Sequence, residues 1–107
     1  MKKIVVKDSY GNAYTLEFTR DTVMQMERNG FKLDNPGAMP MTTIKMMWDG
    51  AFLANHKNTK PDTIDAIFAG QKDKAGLVEK LAELYQEPFE TLMEDPEEGN
   101  AMWETNW

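Results

Sequence analysis

Ile44, Met47, Trp48, Ala51 and Phe52 recur at i, i+3, i+4, i+7 and i+8, a spacing that places all five on one face of an α-helix. A stripe that wide cannot stay in water, so the rest of the chain has to fold against it. With 107 residues and no cysteine, neither a disulfide nor a thiolate-bound metal can supply stability. One shared apolar core must do so, and it is large enough for a single domain.

The elements available to cover that stripe can be read in order. Residues 2–8 and 13–18 alternate Ile4/Val6 and Tyr14/Leu16/Phe18 with polar neighbours, and Ser9-Tyr10-Gly11-Asn12 between them suits a tight turn. This predicts a β-hairpin. Thr19 can cap a first helix that carries Asp21 in its first turn, uses Phe18 and Val23 as a staple, and stops at Asn29-Gly30. Residues 31–40 contain two prolines and read as an extended loop. Thr42 or Thr43 opens the striped helix, which Lys57-Asn58-Thr59-Lys60 ends. Pro61 starts a short helix with Ile64, Ile67 and Phe68 inward, stopped at Gly70. From Asp73 the residues Leu77, Val78, Leu81, Leu84, Tyr85, Phe89, Leu92 and Met93 keep one face, interrupted by Pro88. The expected fold is therefore α+β: an N-terminal β-hairpin followed by a bundle of four to five helices, the last long one kinked or broken at Pro88. Residues 1–94 form the domain, and 95–107 an acidic, tryptophan-containing C-terminal tail.

Charge separates along the chain in the same way. All 12 Lys and Arg lie at or before Lys80, whereas 87–107 holds seven acidic residues and no base. An acidic segment repels phosphate backbones, so nucleic acid is not an expected partner. The apolar run near the start is three residues long and no stretch approaches a membrane span, so a protein that stays soluble in the cell that makes it is expected, with no membrane partner.

Residues that could carry chemistry are sparse. His56 is the only histidine and sits among Asn55, Lys57 and Asn58, as at a helix end facing water. Asp62 and Asp65 share a helix face, but Asp62 belongs in a first turn for capping reasons alone. Glu94, Asp95, Glu97 and Glu98 lack the spacing of a calcium loop, and the glycines form no phosphate-binding motif. The chain is expected not to be an enzyme and to need neither cofactor nor metal.

Methionine is the unusual component, nine in the chain, with Met24, Met26, Met39, Met41, Met46 and Met47 close together. Its unbranched, polarizable side chain fits varied apolar partners. Met47 belongs to the stripe and Met46 does not; Met24 and Met26 lie about 200° apart around a helix, so they cannot both face one core. Trp103 and Trp107 on the acidic tail are either partner anchors or a clasp that closes the domain's own core.

The words YTLEFTRDTVMQMERNGF (14–31), Trp48-Asp49-Gly50-Ala51-Phe52, LVEKLAELYQEPFETLMED (77–95) and GNAMWE (99–104) resemble the small tail assembly chaperones of long-tailed bacteriophages and prophages, and the tail-chaperone family of gene transfer agents. The likeness covers nearly the whole chain. It implies an assembly factor of the host bacterial cytoplasm, absent from the mature virion, that binds the helical tape measure protein and keeps it soluble until the tail tube forms. It further implies contact with the tail tube protein through a longer frameshifted form, and leaves self-association open. The family has no catalytic residues. The binding surface it implies maps onto Met24, Phe31, Met46, Trp103 and Trp107. Two other readings fit a small α+β chain: a tail-completion or head–tail connector protein of the virion, and an acidic regulatory or inhibitor protein.

Overall fold

The computed structural model describes residues 2–33, 41–99 and 101–107. The part of the expected loop from 34 to 40, with Met39, lies outside the described residues.

β1 (Ile4–Lys7) and β2 (Ala13–Leu16) pair antiparallel, Ile4 opposite Leu16 and Lys7 opposite Ala13. Asp8 organises the turn between them. Its carboxylate accepts the backbone N–H groups of Tyr10 and Asn12, both at 2.9 Å, the Asn12 amide at 3.0 Å and the Tyr14 hydroxyl at 3.3 Å, while Gly11 supplies a φ of +85°. The Asn12 side chain above all holds the Asp8 carboxyl below its ordinary range. A carboxyl depressed on folding favours the folded chain above its ordinary value, and that contribution disappears as pH falls through the depressed one. Below about pH 4, the wild-type chain should lose urea stability by an increment missing from Asp8→Asn; identical pH slopes for the two would remove Asp8 from this role.

α1 (Arg20–Arg28) begins at the expected cap. The Thr19 hydroxyl accepts from the Thr22 N–H at 3.1 Å and the Thr22 hydroxyl accepts from the Thr19 N–H at 2.9 Å, a reciprocal box. The helix ends with Gly30 at φ +92°. The Gly30 N–H donates to the Glu27 carbonyl and the Phe31 N–H to the Met26 carbonyl, both at 3.0 Å. These two bonds form a Schellman motif, which turns the residue after the glycine back against the last helical turns.

α2 (Met41–Ala51) carries the stripe: Met47, Trp48, Ala51 and Phe52 are buried, and Ile44 is half-buried. The helix stops one residue short of Phe52, whose N–H takes a tighter bond to the Asp49 carbonyl at 3.2 Å, before α3 (Leu53–His56) resumes. Gly50 faces Met26 of α1 so closely that a Cβ there would overlap the thioether, which explains a glycine within a buried helix. The Trp48 indole N–H donates to the Ile64 carbonyl at 2.8 Å and its ring packs edge-on against Phe52 and Phe68, joining α2 to α4 (Pro61–Ala69).

His56 does not face water. It is half-buried; its Nε2 accepts the Thr15 N–H at 3.0 Å, its ring meets Tyr14 edge-on, and the Asn55 amide donates to the Thr15 carbonyl at 3.2 Å. The end of α3 lies along β2, and its side chains satisfy backbone groups that a third strand would otherwise take.

Lys74 reaches back to the Ala69 and Gln71 carbonyls at 2.9 and 2.8 Å, closing the end of α4. α5 (Lys74–Met93) then runs for 20 residues. Asp73 caps it from a left-handed conformation, accepting the Gly76 N–H at 3.2 Å, and a side chain at Gly76 would collide with that carboxylate. Pro88 does not break the helix, as one of the sequence expectations had it. Its ring is buried on the same side as Leu84 and Tyr85, so packing holds the helix through the missing amide. Tyr85 sits between Phe18 and Phe31, with centroids 5.2 and 5.1 Å away. The core thus lies where the inner face of the hairpin (Val6, Leu16) meets α1, α2 and α5. No helix among the described residues is long and apolar enough to cross a membrane.

Candidate functional site

Three helices leave an apolar cleft uncovered. The first half of α2 contributes Met41 and Ile44, the end of α4 contributes Phe68, and the first turns of α5 contribute Ala75 and Val78, around a space of about 720 Å³. Met41, Ile44 and Phe68 also border a second space of about 280 Å³ above Trp48. These residues continue the periodic faces of their helices, but they lie past the region where the helices meet. Ile44, Phe68 and Val78 are half-buried, and Met41 is 86% exposed. Lys45 crosses the rim, 2.7 Å from Asp49 and 2.9 Å from Asp65. Bonding to Asp49 first and Asp65 second keeps its ammonium protonated above the usual lysine range. Lys74 and Glu79 stand at the other rim. An apolar floor between charged rims is what an amphipathic helix requires of a groove.

A polar groove of about 760 Å³ lies elsewhere, lined by Glu17, Thr19, Asp21, Asn55, His56 and Lys57 among others. Asn55 and His56 are already committed to Thr15, and one buried Glu17 oxygen, Oε2, has no hydrogen-bond partner among the described residues. No group of three or more His, Cys, Asp or Glu among the described residues could hold a metal ion.

The residues singled out from sequence separate into three situations. Phe31 is a core residue, 3% exposed, because the Schellman motif folds it onto Tyr85; it is not a surface contact. Met46 is half-buried and packs on the core, while Met24, on the outer side of α1, is 44% exposed and Met26 is buried, as their angular separation requires. Trp103 and Trp107 are 82% and 101% exposed on a segment with no helix or strand, so the fold does not gather them with Met24 or Met46. Phe89, Leu92 and Met93 add exposed apolar surface at the end of α5. The cleft itself was missed because Ile44, Phe68 and Val78 were all assigned inward. Met41, three residues before Ile44 on the same face, was the signal that the stripe outruns its cover.

No curated protein and no solved structure matches the chain. A family model described as Domain of unknown function (DUF5055) matches residues 1–107.

Proposed function

The chain belongs to the DUF5055 family, and we propose that it is a phage tail assembly chaperone, acting in the host bacterial cytoplasm and holding the amphipathic helices of the tape measure protein in solution until the tail tube forms. The cleft of Met41, Ile44, Phe68, Ala75 and Val78 carries this reading. It is apolar at its floor, open along three helices and rimmed by charge, so a client helix laid into it exchanges exposed apolar area for contact at about 25 cal/mol per Å². The words shared with tail chaperones in 14–31, 48–52, 77–95 and 99–104 support it independently. The acidic segment after α5 adds mutual repulsion between coated complexes, which opposes their precipitation.

Co-expression with the tape measure protein of the same phage or prophage is the direct test. The client should move from the insoluble to the soluble fraction and elute with this chain; a client equally soluble alone sinks the proposal. Mass spectrometry of purified particles should find no copy of this chain, whereas a connector or completion protein would be present.

A further inference from the structure

The hairpin has two edges, and one of them is open. In an antiparallel pair, residues that exchange hydrogen bonds alternate with residues whose N–H and C=O point outward. The Asp8 N–H donates to the Asn12 carbonyl at 3.0 Å, so the register makes Val6–Tyr14 and Ile4–Leu16 the bonded pairs and turns the backbones of Val5 and Thr15 outward. On β2 both outward groups of Thr15 are taken, by His56 and Asn55. On β1 the Lys7 carbonyl accepts the Gln71 amide at 3.1 Å and the Lys2 N–H meets Glu87 at 2.9 Å, so both ends of the edge are tied down. Between them, among the described residues, no hydrogen bond reaches the Val5 N–H or C=O, and the Val5 side chain is exposed. Beside this edge, between the turn and α4, lies a cleft of about 370 Å³ bordered by Lys7, Tyr10, Ala66, Ile67 and Gly70.

An open edge invites another strand, and Lys2, Lys3 and Lys7 along this one decide which. Two such edges repel each other. An acidic strand is attracted, and the chain carries one: from Glu94 to Trp107 there are five acidic residues and no base. Within it, Trp103, Thr105 and Trp107 alternate with Met102, Glu104 and Asn106, the period of a strand, in residue types that favour one. All of 101–107 is exposed and outside any helix or strand. It stands off its own domain, with Trp107 fully exposed and the molecule 58 Å long against 28 and 24 Å.

We propose that the open edge of β1 accepts residues 101–107 of a second copy of this chain as an added strand, with one tryptophan seated in the cleft beside Ile67. Val5 then exchanges its N–H and C=O with the incoming backbone, and Lys3 and Lys7 face the acidic residues around it. Reciprocal exchange closes a two-fold pair in which both edges are filled. The proposal rests on the hairpin and stands apart from the client cleft.

Sedimentation of the full chain from about 1 µM to a few hundred µM should show a dimer. Its apparent dissociation constant should rise about tenfold or more between roughly 0.05 and 0.5 M salt, and similarly in Lys3→Glu/Lys7→Glu at low salt. Val5→Pro removes only an outward N–H and should weaken the dimer as strongly. Should that variant unfold, deletion of 101–107 decides, because those residues support nothing in the fold: the shortened chain should be monomeric and should bind a peptide of residues 94–107. A full chain that is monomeric throughout, a shortened chain that associates undiminished, or a scrambled peptide of the same composition that binds equally well would each overturn the proposal.

Discussion

Trp48→Ala should cost about 3–5 kcal/mol of folding stability, the range for deleting a large buried aromatic side chain. The residue is 2% exposed, touches Phe52 and Phe68, and spends its only polar group on the Ile64 carbonyl. Its loss therefore empties space on α2 and also cuts the tie between α2 and α4. Against a total of roughly 5–15 kcal/mol for a domain of this size, the variant should have its urea midpoint moved far toward zero and should melt more than about 15 °C lower. Trp48→Phe keeps most of the ring and removes the donor, so its cost should be about 1–2 kcal/mol. An alanine variant no less stable than the phenylalanine one would show that the indole does not hold the two helices together.

The second large effect concerns binding. Ile44→Asp/Val78→Asp places two carboxylates on opposite walls of the apolar cleft, at positions that are half-buried. Folding should survive, at a cost of about 1–3 kcal/mol, which far-ultraviolet circular dichroism and urea titration would register as a retained helix signal and a lowered midpoint. Client binding should not survive. An amphipathic helix would have to bury its apolar face against charge, and the fraction of tape measure protein kept soluble should fall about tenfold or more. Lys57→Asp, which lines the polar groove and not this cleft, changes charge without touching the floor and should leave the client soluble. Equal losses in both variants would mean that charge, and not the cleft, governs the interaction.

What could be read from the residues alone was local. Thr19 as a cap, Gly30 as a stop, Pro61 at a helix start and the hairpin turn near Gly11 are decided within four or five residues, and each is found in place. Phe31 shows where local reading ends. Its neighbours mark the end of a helix, but its destination depends on the Gly30 turn aiming it at Tyr85, which is 54 residues further along the chain. His56 is a similar case: its polar neighbours suggested solvent, and only the packing of α3 along β2 brings Thr15 within reach. Periodicity identified the apolar face of α2, α4 and α5 correctly; it carries no information on how far along that face a neighbour extends. The cleft lies in that gap. For the surface residues the outcome was mixed for the same reason, since Met24 and the two tail tryptophans are exposed while Phe31 is enclosed.

Pro88 also sets how α5 comes apart. With no amide of its own, it leaves the Leu84 carbonyl without the usual donor, and the last turn beyond it is held by ordinary helical bonds and a 3.2 Å bond from the Thr91 hydroxyl to the Pro88 carbonyl. Leu92 and Met93 are exposed there, so little packing resists opening. Fraying from Met93 therefore proceeds readily and halts at the buried ring. Amide protons of Thr91 to Met93 should exchange with deuterium much sooner than those of Leu81 to Tyr85, giving one helix two kinetic compartments.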